Sequence, residues 1–259
     1  MAATYSSLQK MGNGFRNVFR FYLRLRSLKV VRLKVVVSWS GGKESSLAYF
    51  KAIRNGYEVS LLVTFLWENS HLLHHPPELM EFQSKALGVP YIKVPVKPPY
   101  FEGYKEALSN LIESYAIEGV VTGDIYVVDD YHGDWMRRVC DEVNVKLIRP
   151  LWAMSTRQIL TELTSKGFKA LFTCVKEPWF NEDWLGRTLD NACINELMEL
   201  EEKFGIDLCG ERGEYHTMVV DAPIFKEVIE ITEFKKERLG SAYILKPIRI
   251  SLRPKATYF

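Results

Sequence analysis

No run of about 18 apolar residues occurs in the 259-residue chain, so no segment is a candidate membrane-spanning helix. Cysteine is scarce: four residues, at 140, 174, 193 and 209, with no C-x-x-C pair. That spacing fits neither a zinc knuckle nor a redox dithiol, and leaves buried free thiols in a reducing cytoplasm. The chain lacks both G-x-x-x-x-G-K-[ST] and G-x-G-x-x-G, so neither common phosphate fingerprint is present. Acid is missing from residues 1–43, which hold nine Lys/Arg and no Asp or Glu. The remainder carries 25 basic against 32 acidic residues, so the net charge of +2 is no nucleic-acid signal. What is present is ordinary: 47% hydrophobic and 25% charged, enough to bury a core in one large domain or two modest ones.

The start stands apart. Phe15, Phe19, Tyr22, Leu23 and Leu25 interleave with Arg16, Arg20, Arg24 and Arg26. Three readings stay open for residues 1–32: a targeting segment, a loose leader (one at an anionic membrane surface included), or a start assigned too far upstream. The patterned part of the chain begins at Leu33.

From there short β-branched runs alternate with helical stripes. Strands are expected at 33–38, 59–66, 91–96, 119–122 and 145–148, with helices between them. The clearest stripe is Tyr104, Ala107, Leu108, Leu111, Ile112 and Tyr115. This alternation implies βαβ units and a parallel sheet over 33–150. After Pro150 the pattern changes. Ser155-Thr156-Arg157-Gln158 is a capping box opening a helix, a strand follows at 168–175, and a helix lies within 189–204. Strand-rich runs at 217–220, 228–234 and 242–252 make 151–259 a smaller α+β domain.

The chemical signal is Ser38-Trp39-Ser40-Gly41-Gly42-Lys43-Glu44-Ser45, set between the first strand and the first helix. Two glycines permit a tight turn and a close ligand, and a helix start presents unpaired N–H groups. The hydroxyls of Ser40 and Ser45 and the Lys43 ammonium complete a phosphate or pyrophosphate cradle. His71, His74 and His75 have i, i+3, i+4 spacing, but Pro76-Pro77 favours a turn and no fourth ligand is evident, so no metal is assigned. Trp179, Phe180 and Trp184 read as core. Asp129, Asp130 and Asp134 read as loop charges.

Ser40-Gly41-Gly42-Lys43-Glu44-Ser45 resembles the S-G-G-x-D-S loop of the ATP pyrophosphatases of the adenine-nucleotide alpha-hydrolase-like group, with Glu44 where Asp is usual. Further blocks are similar to the diphthine–ammonia ligase family: Gly123-Asp124, Pro150-Leu151-Trp152, Trp184-Leu185-Gly186-Arg187, Cys209-Gly210-Glu211-Arg212-Gly213-Glu214-Tyr215-His216-Thr217 and Asp221-Ala222-Pro223-Ile224-Phe225. The resemblance implies an α/β fold: a parallel open sheet of the adenine nucleotide alpha-hydrolase-like (Rossmann-like) type with a smaller C-terminal α+β domain. It implies a cytoplasmic ligase that uses ATP and Mg²⁺ to adenylate a carboxylate, and ammonia to amidate it. The implied acceptor is diphthine on elongation factor 2. ATP would contact Ser38, Ser40, Gly41, Gly42, Lys43, Glu44, Ser45, Gly123 and Asp124. Glu211, Gly213, Glu214, His216 and Thr217 would face the acceptor, with Lys43, Glu211 and Glu214 as catalytic candidates. Glu211 and Glu214 would orient ammonia or ammonium, or bind the trimethylammonium that diphthine carries. Eukaryotic members are expected to carry extra C-terminal domains beyond a chain of this length. Exchanging Lys43 or Ser45 for Ala is expected to suppress AMP formation with the fold intact. Two further readings stay open: a tRNA-modifying ATP pyrophosphatase, and a nucleotide-binding sensor without turnover.

Overall fold

The computed structural model describes residues 32–67, 75–127 and 134–255. The basic start, His71, His74, Asp129 and Asp130 lie outside the described residues. Leu33–Phe259 form one compact unit.

Five parallel strands build the first sheet: β1 (Lys34–Ser38), β2 (Glu58–Trp67), β3 (Tyr91–Val96), β4 (Gly119–Val121) and β5 (Lys146–Ile148). Their spatial order is β3-β2-β1-β4-β5. Helices α1 (Lys43–Arg54), α2 (Pro77–Leu87), α3 (Tyr100–Tyr115) and α4 (Trp135–Glu142) make the crossovers. The period of two along β1 divides the core. Val35 and Val37 pack with α1 and α2, whereas Val36 packs with Tyr104, Leu108 and Leu111 of α3 and Val139 of α4. A strand covered on both faces needs no polar alternation, which is why its valines run unbroken.

The chain leaves β1 toward β2 on one side and returns from β3 to β4 on the other. The strand order therefore reverses between β1 and β4. In open α/β sheets the crevice at the carboxyl ends of such a pair is where ligands bind.

The second sheet is antiparallel, in the order β7-β6-β9-β8, from β6 (Lys169–Lys176), β7 (Tyr215–Asp221), β8 (Glu227–Leu239) and β9 (Ala242–Pro254). Helices α5 (Thr156–Ser165) and α6 (Asn191–Phe204) accompany it. The expected capping box opens α5: Ser155 Oγ accepts from Gln158 N–H and Gln158 Oε1 accepts from Ser155 N–H. Phe172, Tyr215, Met218 and Val219 of this sheet join the same apolar core as α1 and α2.

Some boundaries differ from expectation. The β8–β9 hairpin extends to Leu239 and Pro254. Cross-strand ion pairs Arg249–Glu233 and Lys246–Glu237 support its exposed side, beside the buried Ala242, Ile244 and Leu245 of β9. Helix α3 starts at Tyr100 with Pro99 as its N-cap, where the N–H that proline lacks would have had no intrahelical partner. Asp134 is no free loop charge. It caps α4 by accepting from Arg137 N–H and takes both arms of the Arg149 guanidinium at 3.0 and 2.8 Å. Trp184 packs on Phe172, and Phe180 packs on Trp184 and Tyr215, so both belong to the core.

Candidate active site

The loop after β1 is held by backbone and by its own hydroxyls. Trp39 N–H donates to Val63 C=O, and Thr64 Oγ donates to Trp39 C=O. Gly41 sits at φ +73, in the left-handed region that favours glycine. Gly42 is the N-cap of α1 in an extended conformation, and among the described residues no side chain caps the first turn. Ser45 Oγ donates to Gly42 C=O, Ser40 Oγ lies 3.2 Å from Ser45 Oγ, and Gly42 N–H donates to Ser40 Oγ. The result is a helix start with uncapped N–H groups ringed by two hydroxyls, a geometry suited to an anion.

Gly123, just past β4, allows the other wall to close. A Cβ there would lie 3.0 Å from the Glu44 carbonyl carbon and 3.0 Å from Ser45 N. Between the two walls runs a crevice of about 540 Å³. Ser38 lines it from the end of β1, Ser40, Glu44 and Ser45 from the loop and the start of α1, Gly123 and Asp124 from the segment just past β4, and Glu211 from the second half of the chain. The structure also adds Thr64, Phe65 and Trp67 from β2, Tyr104 from α3 and Thr122 from just past β4, none of which the sequence singles out as a site residue. Trp67 Nε1 donates to Tyr104 Oη at 2.7 Å, and the Phe65 and Tyr104 rings lie 5.0 Å apart. His75, excluded above as a metal ligand, lines the crevice beside Gly42 with Nδ1 3.2 Å from Met218 Sδ.

Three carboxylates meet here. Burial pushes Asp124 up, partly offset by the Thr122 hydroxyl that donates to it at 2.7 Å. Glu211 is pushed up to about 7 by burial and then by Glu44, with Lys43 opposing. A carboxyl that titrates near neutrality is suited to holding a cation or moving a proton.

Lys43 points elsewhere. It is buried, its Nζ donates to Cys209 C=O at 2.6 Å, pairs with Glu44 at 2.8 Å and sits 4.6 Å above the Tyr215 ring. Burial pulls the ammonium down, but Glu44 and then Cys209 outweigh it and hold it above the usual lysine range. Glu214 is committed too: its two oxygens accept Asp207 N–H at 2.8 Å and Arg212 N–H at 3.1 Å, closing the turn that presents Glu211. Asp207 completes that turn by accepting from Cys209 N–H, Glu211 N–H and Tyr126 Oη. Gly213, at φ +84, shapes the same turn. His216 packs edge-on against His75 at 5.1 Å. Thr217 C=O lies under Gly42, while its buried Oγ has no hydrogen-bond partner among the described residues.

All four cysteines are buried thiols outside any disulfide. Burial pushes Cys140 and Cys193 up to about 12 and Cys174 up to about 11, so none of these three is a thiolate at neutral pH. Among the described residues no cluster of three or more His, Cys, Asp or Glu is arranged to hold a metal, and no helix is long and apolar enough to cross a membrane.

Two family models match the chain, the diphthamide synthase N-terminal domain over residues 33–147 and the diphthamide synthase C-terminal domain over 155–249. A diphthine–ammonia ligase from Homo sapiens is 25% identical over 243 residues, covering 83% of this chain and 89% of its own. One from Danio rerio is 26% identical over 78% of this chain and 88% of its own. One from Schizosaccharomyces pombe is 26% identical over 78% of this chain but only 36% of its own. Extra length is thus a feature of the yeast relative and not of eukaryotic relatives in general. A solved predicted subunit of tRNA methyltransferase from Methanocaldococcus jannaschii aligns with 74% of this chain and 98% of its own at TM-score 0.41 and 17% identity, a likeness that carries no argument.

Proposed function

The chain belongs to the diphthamide synthase family and is an enzyme of the diphthine–ammonia ligase type, and on that footing we propose that it adenylates the carboxylate of diphthine on elongation factor 2 with ATP and amidates it with ammonia. The observation that carries this is one crevice at the β1/β4 reversal in which an uncapped helix start faces Glu211 from the second half of the chain.

In this reading residues 33–150 hold the nucleotide and 151–259 bring the acceptor. The β- and γ-phosphates rest on the N–H groups at the start of α1 and on the Ser40 and Ser45 hydroxyls. Phe65, Trp67 and Tyr104 wall the apolar end of the crevice. An acceptor carboxylate oxygen bonds to the α-phosphorus as the bond to pyrophosphate breaks. Ammonia then bonds to the acyl carbon, AMP leaves, and the amine proton passes to Glu211. Catalysis comes from positioning and electrostatics, with no protein nucleophile.

Mg²⁺ fits this donor set only as an ion arriving with the nucleotide. Asp124 and Glu44 offer carboxylate oxygens and no closed cage, and Mg²⁺ commonly takes one or two carboxylates plus phosphate oxygens. Bound there it would neutralise phosphate charge. Four buried thiols suit a reducing compartment, which supports the cytoplasm as the site of action.

The test is the full chain with ATP, Mg²⁺, ammonium and diphthine-bearing elongation factor 2, read by mass spectrometry. AMP and pyrophosphate should form in step with a hydroxyl replaced by an amino group on the acceptor. Nucleotide bound without AMP would make the chain a sensor. A Gly123→Val exchange should weaken ATP binding by about 5–150-fold by calorimetry, because an overpacking penalty of about 1–3 kcal/mol falls on the start of α1.

A further inference from the structure

Gln83 is a polar residue on the buried stripe of α2, between Leu79, Met80, Ala86 and Leu87, and it is fully buried. Its amide is saturated by three partners. Nε2 donates to Gly41 C=O and to Val219 C=O, both at 2.8 Å, and Oε1 accepts from the Trp39 indole N–H at 3.0 Å. The orientation is unambiguous, since an indole only donates and carbonyls only accept. Gly41 C=O also accepts from Val219 N–H at 3.0 Å. Both lone pairs of that carbonyl are thereby used, which fixes the Gly41–Gly42 peptide plane at the entrance to α1.

Val219 lies on β7, the strand that continues directly from the Cys209–Glu214 turn carrying Glu211. A Cβ on Gly41 would come within 2.3 Å of Gln83 Oε1, so the loop and the amide are packed against each other. Loop, α2 and β7 therefore meet at one side chain outside the crevice.

We propose, on the footing of the ATP-dependent reading above, that Gln83 is a positioning residue that locks the phosphate loop to β7, so that the loop keeps its anion-binding form only while the acceptor-side strand is seated. Without Gln83 the Gly41 carbonyl keeps only the Val219 N–H and pivots about that single bond, and the N–H groups of α1 lose their common aim. Two buried carbonyls that each lose a donor are costly, which makes the lock strong.

The experiment uses the full chain with Gln83→Met, which keeps the length and removes all three bonds. The milder Gln83→Glu, kept neutral by burial, retains the acceptor for Trp39 and one O–H donor. Binding of α,β-methylene-ATP is measured by calorimetry, and amide hydrogen exchange is followed at 40–46 and at 215–220. The dissociation constant should rise at least ~tenfold in Gln83→Met and less in Gln83→Glu, at unchanged stoichiometry. A defect of folding alone lowers the stoichiometry and leaves the constant of the folded fraction where it was. Exchange should speed up in both segments together. An unchanged constant with protection intact in either segment would overturn the proposal. Should Gln83→Met not fold, Gln83→Glu decides by the same readings. If the parent chain binds no nucleotide, the ATP reading fails on its own, and joint or separate loss of protection in the two segments still decides whether Gln83 locks them.

Discussion

Exchanging Glu211 for glutamine is expected to slow amide formation by about 10²–10⁴, the range of general acid–base catalysis, and yet to stabilise the protein at alkaline pH. The side chain lines the crevice, and its carboxyl is pushed up to about 7 by burial, then by Glu44, Asp207 and Asp124 against the pull of Lys43. The ordinary value is 4.5, so the folded chain holds a proton that the unfolded chain releases over the intervening window. The stability that this proton represents is fully present below pH 4.5 and is lost as pH rises through about 7. Glutamine has no proton to lose. By denaturant titration the variant should match the parent near pH 4 and exceed it by roughly 1–3 kcal/mol at pH 8. At constant free ammonia, amidation by the parent should climb through about pH 7 as Glu211 ionises, and the variant should not follow that rise. A variant that lost stability at pH 8, or kept the parent's amidation rate, would remove Glu211 from the acceptor step.

Exchanging Lys43 for methionine is expected to cost about 3–5 kcal/mol of stability, because one partner of a buried ion pair is removed. The ammonium is paired with Glu44, bonded to Cys209 C=O and seated over Tyr215, and each of those groups is left behind. At about 2–4 °C per kcal/mol the melting temperature should fall by roughly 6–20 °C. AMP formation should fall with it, since the same nitrogen ties α1 to the turn that presents Glu211. An Ala exchange here is likewise expected to cost stability, whereas at Ser45, whose hydroxyl bonds stay within the loop, the fold is expected to remain intact. Unchanged melting of Lys43→Met would show the ion pair to be dispensable.

The difference between these residues marks what the sequence discloses. Glycines, hydroxyls and a strand-to-helix junction are local features, and they place Ser38, Ser40, Glu44 and Ser45 on the crevice wall as read. The unbroken valine run of β1 and the periodic six-residue stripe of α3 are also local, so their elements follow from the sequence alone. Where a lysine points is not local. Lys43 turns toward a carbonyl 166 residues away, and nothing within its own loop announces that. Glu214 looks like Glu211 in sequence, yet two backbone N–H groups claim it because the turn closes over it. Gln83 did leave a trace: one amide on an otherwise apolar helical face, which a buried polar residue occupies only when its partners are supplied. Thr64, Trp67 and Tyr104 left none, since β-branched and aromatic residues are ordinary in strands and cores.

A crystal structure of the full chain with α,β-methylene-ATP and Mg²⁺ tests the crevice directly. The account predicts the β- and γ-phosphates within hydrogen-bonding distance of the N–H groups opening α1 and of the Ser40 and Ser45 hydroxyls, with the α-phosphorus facing Asp124 and Glu211. A triphosphate seated anywhere other than the β1/β4 reversal would contradict it.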